Sequence, residues 1–222
     1  MSEQTATKAI GLLVADDHRL IREGVIGMVS GAPDISVIGE ACDGAEVVTK
    51  ARELKPDVVL LDISMPKIDG LQAASRLLSM EGAPKVLMLA GFDARTNVPK
   101  AISMGASGFL LKEVGPEELV DSIRVVARGG TVLGEEAARI VGERLNSARS
   151  EFSEVAENLD SLTSGERDVL RGVRAGMPNS AIAEELFMSE YSVKTYVSRI
   201  LKKLGLDNRT QAAIVAYEAG LR

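Results

Sequence analysis

Four charged residues in the first half of the chain lie where they could do chemistry together. Asp16 and Asp17 follow one short apolar run, Asp62 follows a second and Lys112 follows a third. Three carboxylates held in one crevice repel one another unless a cation is present. Mg²⁺ suits such a set because it takes hard oxygen ligands and commonly binds through carboxylates together with a phosphate. A carboxylate nucleophile, a metal and an ammonium group together predict phosphoryl transfer to an aspartate.

These residues meet only if the apolar runs are strands of one sheet. Amphipathic helical stretches separate the runs, and two of the runs are apolar without alternation, which is typical of strands buried on both faces. Five strand-helix units predict an α/β fold with a doubly wound parallel sheet, in which ligands bind beyond the carboxyl ends of the strands. The predicted strands are Ile10 to Ala15, Ser36 to Ala41, Val58 to Leu61, Lys85 to Leu89 and Gly108 to Leu111.

Each of these features also has a simpler interpretation. An Asp-Asp pair after a strand often caps a helix, here one beginning near His18, and a single lysine is usually a solvated side chain. The placement of the charged residues at the first, third and fifth strand ends favours a shared site. We expect His18 to lie in the first turn of a helix and Cys42 to be a small buried apolar group.

From about Ala9 to Gly129 the chain resembles the receiver domain of two-component response regulators. The motifs LLVADDH, LLDISMPKIDG and GFLLK carry the resemblance. It implies a flavodoxin-like fold, Mg²⁺ as the cofactor and a sensor histidine kinase as the source of the phosphoryl group. The site residues that it implies are Asp16 and Asp17 as the metal-binding pair, Asp62 as the phosphoacceptor and a metal ligand, Ser64 as a metal ligand through its backbone carbonyl, and Lys112 as a contact to the phosphoryl group.

Ala90 departs from the pattern of that family. It lies in VLMLAGFD, where the family carries a Ser or Thr whose hydroxyl bonds the phosphoryl group and triggers the switch. A hydrogen bond to a charged group contributes roughly 1.5 to 3 kcal/mol. Its loss predicts an active-state bias weakened by about ten- to a hundredfold. Phe109 fits the aromatic switch position of the family but lacks its usual trigger, so we expect phosphorylation to remain possible while its transmission is weakened or shifted.

A second, all-helical domain is predicted from near Leu162, because the strand pattern stops at about Thr131. Two of its helices are joined by a short turn and the second is basic, as in a helix-turn-helix that reads DNA. The first predicted helix starts at Thr163 or Ser164 and stops at Gly176, and the second runs from about Asn179 to Leu186. The third has Ser189 as its N-cap and runs to about Leu204, and the fourth has Thr210 as its N-cap and runs to about Ala219.

The basic helix carries a candidate reading face. Lys194, Thr195 and Ser198 share one face near its N-terminal half, the part that reaches base edges in the major groove. A solvated basic face on a helical bundle is the simpler alternative. The predicted phosphate contacts, which would position the domain without specifying sequence, are Lys202, Lys203 and Arg209.

Residues from about Leu162 to Gly220 resemble the LuxR-type helix-turn-helix of NarL/FixJ-subfamily regulators. The resemblance implies that Lys194, Thr195 and Ser198 contact bases and that the final helix, near Ala212 to Tyr217, forms a dimer interface. The matching residues are Leu162-Thr163 with Glu166, Asn179 with Ile182-Ala183, Ser192-Val193-Lys194-Thr195, and Lys203-Leu204-Gly205 with Arg209. The departures from the family pattern are Gly165, Ser180, Ala181 and Tyr196.

The predicted domain limits are 9–129 for the receiver, 130–160 for a partly helical linker and 161–222 for the helix-turn-helix domain. Apolar residues recur in the linker at alternating spacings of four and three, from Val141 to Leu162. We favour an amphipathic linker helix that packs on one of its own domains. A dimerising coiled coil is the less favoured alternative, because three heptads barely reach the length that a coiled coil needs.

Composition excludes several other classes of protein. One cysteine rules out an intramolecular disulfide, and one cysteine with one histidine cannot build a Cys/His zinc site. The chain has no apolar run of membrane-spanning length and no signal-peptide stretch after MSEQTATK, so we expect a cytoplasmic protein. The net charge of -6 argues against nucleic-acid binding, but Phe187 to Gln211 holds five basic and two acidic residues.

The favoured interpretation is a DNA-binding transcription factor, not an enzyme, whose receiver is phosphorylated on Asp62 and which is a homodimer when active. One alternative is a DNA-binding regulator that works without phosphorylation, motivated by Ala90. Another is an aspartyl-phosphate hydrolase on a similar sheet. That chemistry needs a general-acid carboxylate two residues after the nucleophile, where this chain has Ser64.

Overall fold

In a computed structural model of the chain, residues 9–91, 97–133 and 159–221 are described, and they form an α/β unit followed by a helical unit. The predicted α/β class is therefore confirmed. The predicted linker pattern lies mostly outside the described residues. No described helix is both long enough and apolar enough to span a bilayer.

The sheet is parallel throughout, with the strand order β2-β1-β3-β4-β5-β6. β3 and β4, which contain the two unbroken apolar runs, are buried as predicted, and β1 and β5 on either side of them are mostly buried as well. The strands are β1 (Ile10–Ala15), β2 (Ile35–Ala41), β3 (Val58–Asp62), β4 (Lys85–Ala90), β5 (Gly108–Leu111) and β6 (Val132–Leu133).

β6 corrects the predicted count of five strands. It follows the last helix of the unit and pairs with β5, Gly108 with Val132 and Phe109 with Leu133. Its two residues are too few to show a strand periodicity in sequence. The other five strands lie within one residue of their predicted limits.

Helices cover both faces of the sheet and enclose two apolar cores. One core joins β-strand side chains to α2, α3 and α4, and the other joins them to α1 and α5. This is the layering that crossover helices impose on a parallel sheet. The helices are α1 (Arg19–Val29), α2 (Gly44–Leu54), α3 (Gly70–Leu78), α4 (Val98–Ser103) and α5 (Pro116–Ala127).

The helical unit has its own apolar core and well-formed helix caps. Thr163 and Glu166 form a capping box at the first helix, and Ser189 caps the third, as predicted. Gly176 and Gly205 adopt positive φ after the first and third helices, as expected of glycines that end helices. The helices are α6 (Ser164–Arg174), α7 (Asn179–Glu185), α8 (Glu190–Leu204) and α9 (Arg209–Glu218).

The start of α9 differs from its prediction. Asn208, not Thr210, is the N-cap, because the Asn208 side chain accepts a hydrogen bond from the backbone N–H of Gln211 at 3.0 Å. The hydroxyl of Thr210 instead donates to the backbone carbonyl of Ala106 in the α/β unit at 2.8 Å. Thr210 thus bonds a carbonyl far away in the chain instead of capping α9, the role that the local sequence predicts for it.

α9 packs on both units at once. Ala212, Ala213, Val215 and Ala216 lie in the core of the helical unit, whereas Ile214 lies in the core of the α/β unit together with Phe109. Further hydrogen bonds join the units. The Asn208 side chain donates to the carbonyl of Ile102 at 3.0 Å, and the Thr131 N–H donates to the carbonyl of Gly176 at 3.2 Å.

Candidate functional site

The sheet brings the predicted acidic residues to one edge. β1 and β3 are adjacent, and their register pairs Ala15 with Leu61, so Asp16 and Asp62 follow side by side at the carboxyl ends. Chain order reverses between these two strands, and such a switch point leaves a crevice for ligands. Asp16 and Asp62 are buried, with 2% and 1% of their surface exposed.

Lys112 joins the two buried carboxylates. It follows β5, and its Nζ lies 2.7 Å from Oδ2 of Asp16 and 3.0 Å from Oδ1 of Asp62. The backbone N–H of Lys112 donates to the carbonyl of Ala90 at 2.9 Å, and this bond holds the backbone of Lys112 beside the end of β4. The structure therefore brings together three of the predicted site residues that are far apart along the chain.

Burial and charge act in opposite directions on these groups. Burial raises the pKa of Asp62, the Lys112 ammonium opposes that rise, and the Asp16 carboxylate adds to it. Burial lowers the pKa of Lys112, but hydrogen bonds to Asp16 and Asp62 outweigh it, so the net pKa of Lys112 is raised. Lys112 thus stays charged and compensates part of the repulsion between the carboxylates.

The loop that carries the acidic pair is held by a residue that sequence reasoning missed. Arg22 of α1 donates from one guanidinium nitrogen to the backbone carbonyl of Asp16 at 2.8 Å and from Nε to the Glu40 carboxylate at 3.0 Å. The side chain of Arg22 is only 14% exposed. A basic residue one turn into the helix after the acidic pair is the only signal that the sequence offered.

His18 lies directly before α1, and two interactions connect it to the acidic pair. Its backbone N–H donates to Oδ1 of Asp16 at 2.8 Å, and its Nδ1 lies 2.7 Å from Oδ1 of Asp17. The simpler interpretation that the Asp pair caps this helix is wrong, because His18 is the N-cap of α1 and the Asp16 bond closes a turn before the helix begins. That bond uses one oxygen and leaves Oδ2 facing the crevice.

The donor set fits a hard cation such as Mg²⁺. Ligand atoms of Asp16, Asp17 and His18 lie within 4.8 Å of one another. Buried oxygens of Asp16, Asp17 and Asp62 accept no hydrogen bond of regular geometry within the described part of the chain, although Lys112 and His18 approach them. Oxygen atoms that are buried and under-bonded in this way are suited to metal coordination.

The loop after Asp62 is fixed by a close backbone contact at Gly70. A Cβ on Gly70 would lie 2.0 Å from the carbonyl oxygen of Asp62, so only glycine fits there. Asp69 caps α3 by accepting from the Gln72 N–H at 2.7 Å. Ser64 lies on the exposed part of this loop, two residues past Asp62, where its carbonyl is predicted to bind metal.

The predicted switch residues lie inside the core. Ala90 ends β4 and is fully buried, and Phe109 of β5 is 1% exposed within the same apolar cluster. The Phe109 ring is thus buried in the core although residue 90 carries no hydroxyl. Cys42, predicted to be buried, is exposed, because it follows the last residue of β2 and enters the loop before α2.

The predicted reading face lies on α8 and is open to solvent. Lys194, Ser198 and Lys202 are exposed, and Thr195 is half-buried. The Thr195 hydroxyl donates to the backbone carbonyl of Tyr191 at 3.0 Å, so it is engaged with its own helix. α8 is therefore free to present this face to a groove of DNA.

Two of the predicted phosphate contacts have partners inside the helical unit. Lys203 pairs with the buried Glu166 of the capping box at 2.7 Å. Arg209 donates to Oδ1 of Asn179 at 2.6 Å and to the backbone carbonyl of Met177, and burial lowers its pKa to about 10. These two residues hold helices together, and sequence reasoning could not separate that role from a surface charge.

Two departures from the LuxR-type pattern are neighbours in space. A Cβ on Gly165 would lie 3.4 Å from the hydroxyl of Tyr196. A Cβ at residue 165 would therefore be in ordinary van der Waals contact with the tyrosine ring.

Comparison with known proteins agrees with this architecture. Residues 12–124 match the family described as response regulator receiver domain, and residues 160–216 match the bacterial regulatory proteins of the luxR family. The chain is 39% identical over 213 residues to the transcriptional regulatory protein YxjL of Bacillus subtilis (strain 168), covering 96% of this chain and 97% of that protein. It is 34% identical over 207 residues to the nitrate/nitrite response regulator protein NarL of Escherichia coli (strain K12), covering 93% and 94% respectively.

A solved structure gives the same result. The response regulator ChrA of a heme-sensing two-component system matches with a TM-score of 0.54 at 32% identity, over 97% of this chain and 100% of that one. The chain therefore belongs to the two-component response regulators that join a receiver domain to a LuxR-type helix-turn-helix domain.

Proposed function

We propose that this protein is a transcriptional response regulator whose Asp62 accepts a phosphoryl group from a sensor histidine kinase in the cytoplasm. The observation that carries the proposal is the position of Lys112, whose ammonium group lies within 3.0 Å of both Asp16 and Asp62 at the switch point of the sheet. A half-buried ammonium between two carboxylates suits an incoming phosphoryl group, because it can neutralise the charge on that group.

In the proposed reaction an oxygen of Asp62 attacks the phosphorus of a phosphohistidine on the kinase. The new bond is Asp62 oxygen to phosphorus, and the bond that breaks is phosphorus to imidazole nitrogen, which keeps the electron pair. Lys112 neutralises charge on the transferred group and can move from Asp16 toward it. Held by Asp16, Asp17, Asp62 and the backbone carbonyl of Ser64, Mg²⁺ would neutralise the remaining charge on the phosphoryl oxygens.

Transmission to the DNA-binding unit is proposed to run through α9. Ile214 of α9 lies in the same core cluster as Phe109, and Lys112 comes three residues after Phe109, just past the end of β5. Phosphorylation would shift an existing equilibrium toward a state in which α9 leaves the receiver. Freed α9 would then form the dimer interface that the LuxR-type resemblance implies, and the dimer would bind two DNA half-sites.

The alternative of a regulator that works without phosphorylation rests on Ala90 alone. Nothing in the comparisons adds support to it, and the ion pairs of Lys112 with Asp16 and Asp62 support a phosphorylated receiver. We therefore retain phosphorylation as the proposed input.

Incubation with acetyl phosphate and Mg²⁺ tests the chemistry. We expect the intact protein to gain the mass of one phosphoryl group, and we expect Asp62→Asn to gain none. Asp57→Asn is a matched control, since it removes a carboxylate from the opposite end of β3. Equal labelling of wild type and Asp62→Asn, or no labelling of either, would contradict the proposal.

A duplex titration at two salt concentrations tests the output. Lys194→Ala should weaken specific binding to a duplex enriched by the wild-type chain from a random pool. Lys85→Ala is the control because it removes an exposed lysine of the receiver. If no duplex is enriched at all, DNA binding by this chain is refuted.

A further inference from the structure

Two aromatic side chains at the helix-turn-helix contribute almost nothing to the folded core. Among the described residues, Phe187 and Tyr191 are the most exposed of the large hydrophobic side chains, at 97% and 81%. Phe187 lies in the turn before α8, and Tyr191 lies in the first turn of α8. Exposed aromatic surface next to a predicted reading face indicates a contact with a ligand.

The backbone at Phe187 is one that glycine would adopt more easily. Phe187 has φ of 53°, and its N–H bonds the carbonyl of Glu184 at 3.3 Å while the N–H of Met188 bonds that of Ala183 at 2.8 Å. This pattern of two hydrogen bonds is a Schellman motif, whose left-handed residue is usually glycine. Met188 then packs on the core of the helical unit, and Phe187 points to solvent. The fold therefore gains nothing from the Phe187 ring at this position.

Tyr191 shares a face of α8 with the predicted base contacts. Its spacing of three, four and seven residues to Lys194, Thr195 and Ser198 places all four on one side of the helix. Because the Thr195 hydroxyl is bonded to the carbonyl of Tyr191, it is not a free donor for a base edge. The N-terminal part of this face therefore offers fewer free hydrogen-bond donors than the residue types Tyr191 and Thr195 suggest.

We infer that Tyr191 contacts the C5-methyl group of a thymine in the major groove and that Phe187 covers the deoxyribose beside it. This inference rests on the proposed DNA-binding function. Thymine is the base that presents an apolar group in that groove. A protein partner suits the pair less well, because Tyr191 lies on the same face as Lys194 and Ser198, which DNA would cover. The two aromatic residues thus extend the reading face and add a preference for one thymine in each half-site.

Removal of single methyl groups from DNA tests this inference. The probe is a duplex that the full chain enriches from a random pool, with each thymine replaced in turn by deoxyuridine, which lacks only the methyl group. Loss of one buried methyl group should weaken wild-type binding by about fourfold per half-site. We expect that loss at one thymine of each half-site, for wild type and for Tyr191→Phe.

Variants separate this contact from DNA binding in general. Tyr191→Ala should weaken binding to the thymine duplex and should no longer distinguish it from the deoxyuridine duplex. Leu20→Ala, which removes an exposed apolar side chain from α1, should change neither. If Tyr191→Ala binds the thymine duplex as wild type does, or still loses affinity with deoxyuridine, the inference is overturned. In that case a loss of binding in Lys194→Ala still supports the proposed function.

Phe187→Gly gives a test in which function and stability change differently. Glycine suits the positive φ at this position, so the thermal midpoint should stay unchanged or rise. The affinity for the enriched duplex should fall about equally with thymine and with deoxyuridine, since the proposed contact is to sugar. Unchanged affinity would overturn the role of Phe187. Unchanged DNA affinity in both aromatic variants would instead indicate that the pair is a surface for a protein.

Discussion

The hydroxyl of Thr210 donates a hydrogen bond of 2.8 Å to the backbone carbonyl of Ala106. Thr210 is the second residue of α9, and Ala106 lies between α4 and β5 of the receiver. Thr210 is 3% exposed, so the bond is shielded from water. It fixes the helix that would form the dimer to the receiver face that would release it.

Replacing Thr210 with Val should therefore weaken the contact between the two units. The change keeps the shape but leaves the Ala106 carbonyl without its partner, at a cost of about 1–3 kcal/mol. We expect Thr210→Val to dimerise and to bind the enriched duplex without a phosphodonor more readily than wild type, by about tenfold. Sedimentation and duplex titration measure the two effects.

Thr49→Val is the matched control for that change. Its hydroxyl also donates to a backbone carbonyl, that of Ala45, but within one exposed helix of the receiver. Neither dimerisation nor DNA affinity should change in this control. If Thr210→Val also leaves both unchanged, the contact does not hold the resting state.

Ala90→Thr should strengthen the response to phosphorylation. It adds the hydroxyl that the resemblance places against the phosphoryl group, and the ratio of DNA affinities with and without phosphodonor should rise by about ten- to a hundredfold. Because Ala90 is fully buried, the larger side chain should also lower stability by about 1–3 kcal/mol. Ala90→Val supplies the same shape without the hydroxyl, and a rise in the ratio for Val as large as for Thr would contradict the hydroxyl mechanism.

Arg22→Ala should weaken Mg²⁺ binding without removing a ligand. Arg22 holds the Asp16 carbonyl and Glu40, and loss of a group that orients a ligand typically costs 10- to 100-fold in metal affinity. Mg²⁺ titration by calorimetry measures it. Arg19→Ala, on the same helix but paired with Glu23 in solvent, should bind Mg²⁺ as wild type does. Equal affinities in the two variants would show that Arg22 does not position the site.

Glu166 should make stability fall in acid. The Lys203 ammonium and the capping hydrogen bonds hold the pKa of Glu166 below its usual range. A lowered folded pKa gives stabilisation that is present above the unfolded value, about 4.3, and is lost as the pH falls through the folded one. Glu166→Gln keeps the capping geometry without the charge, so its thermal midpoint should fall less below pH 4 than that of wild type. Parallel curves for the two proteins would contradict this assignment.

The sequence predicted those parts of the molecule that local pattern determines. Unbroken apolar runs mark the buried strands, and strand ends mark the acidic residues and Lys112, because a parallel sheet brings its carboxyl ends together. Capping residues such as Thr163 and Ser189 mark helix starts because their hydrogen bonds are local. These features needed no information about distant parts of the chain.

The features that the sequence missed depend on contacts far along the chain. Lys203 and Arg209 look like solvated charges, but Glu166 lies 37 residues from one and Asn179 lies 30 from the other. Thr210 looks like a cap until Ala106, 104 residues away, accepts its hydroxyl. No local periodicity or capping pattern indicates such distant partners. β6 was also missed, because a strand of two residues is too short to show a periodicity.

Under the proposed release of α9, the placement of Ile214 would make the response of this protein depend on its concentration in the cell. While α9 is docked, that side chain is 4% exposed, and release would bring apolar surface into water. The proposed dimer, formed through α9, would cover the apolar surface that opening exposes. Opening linked to pairing is second order in the protein, so its midpoint moves with concentration. A cell could thus set the threshold of its signal by the rate at which it synthesises the regulator.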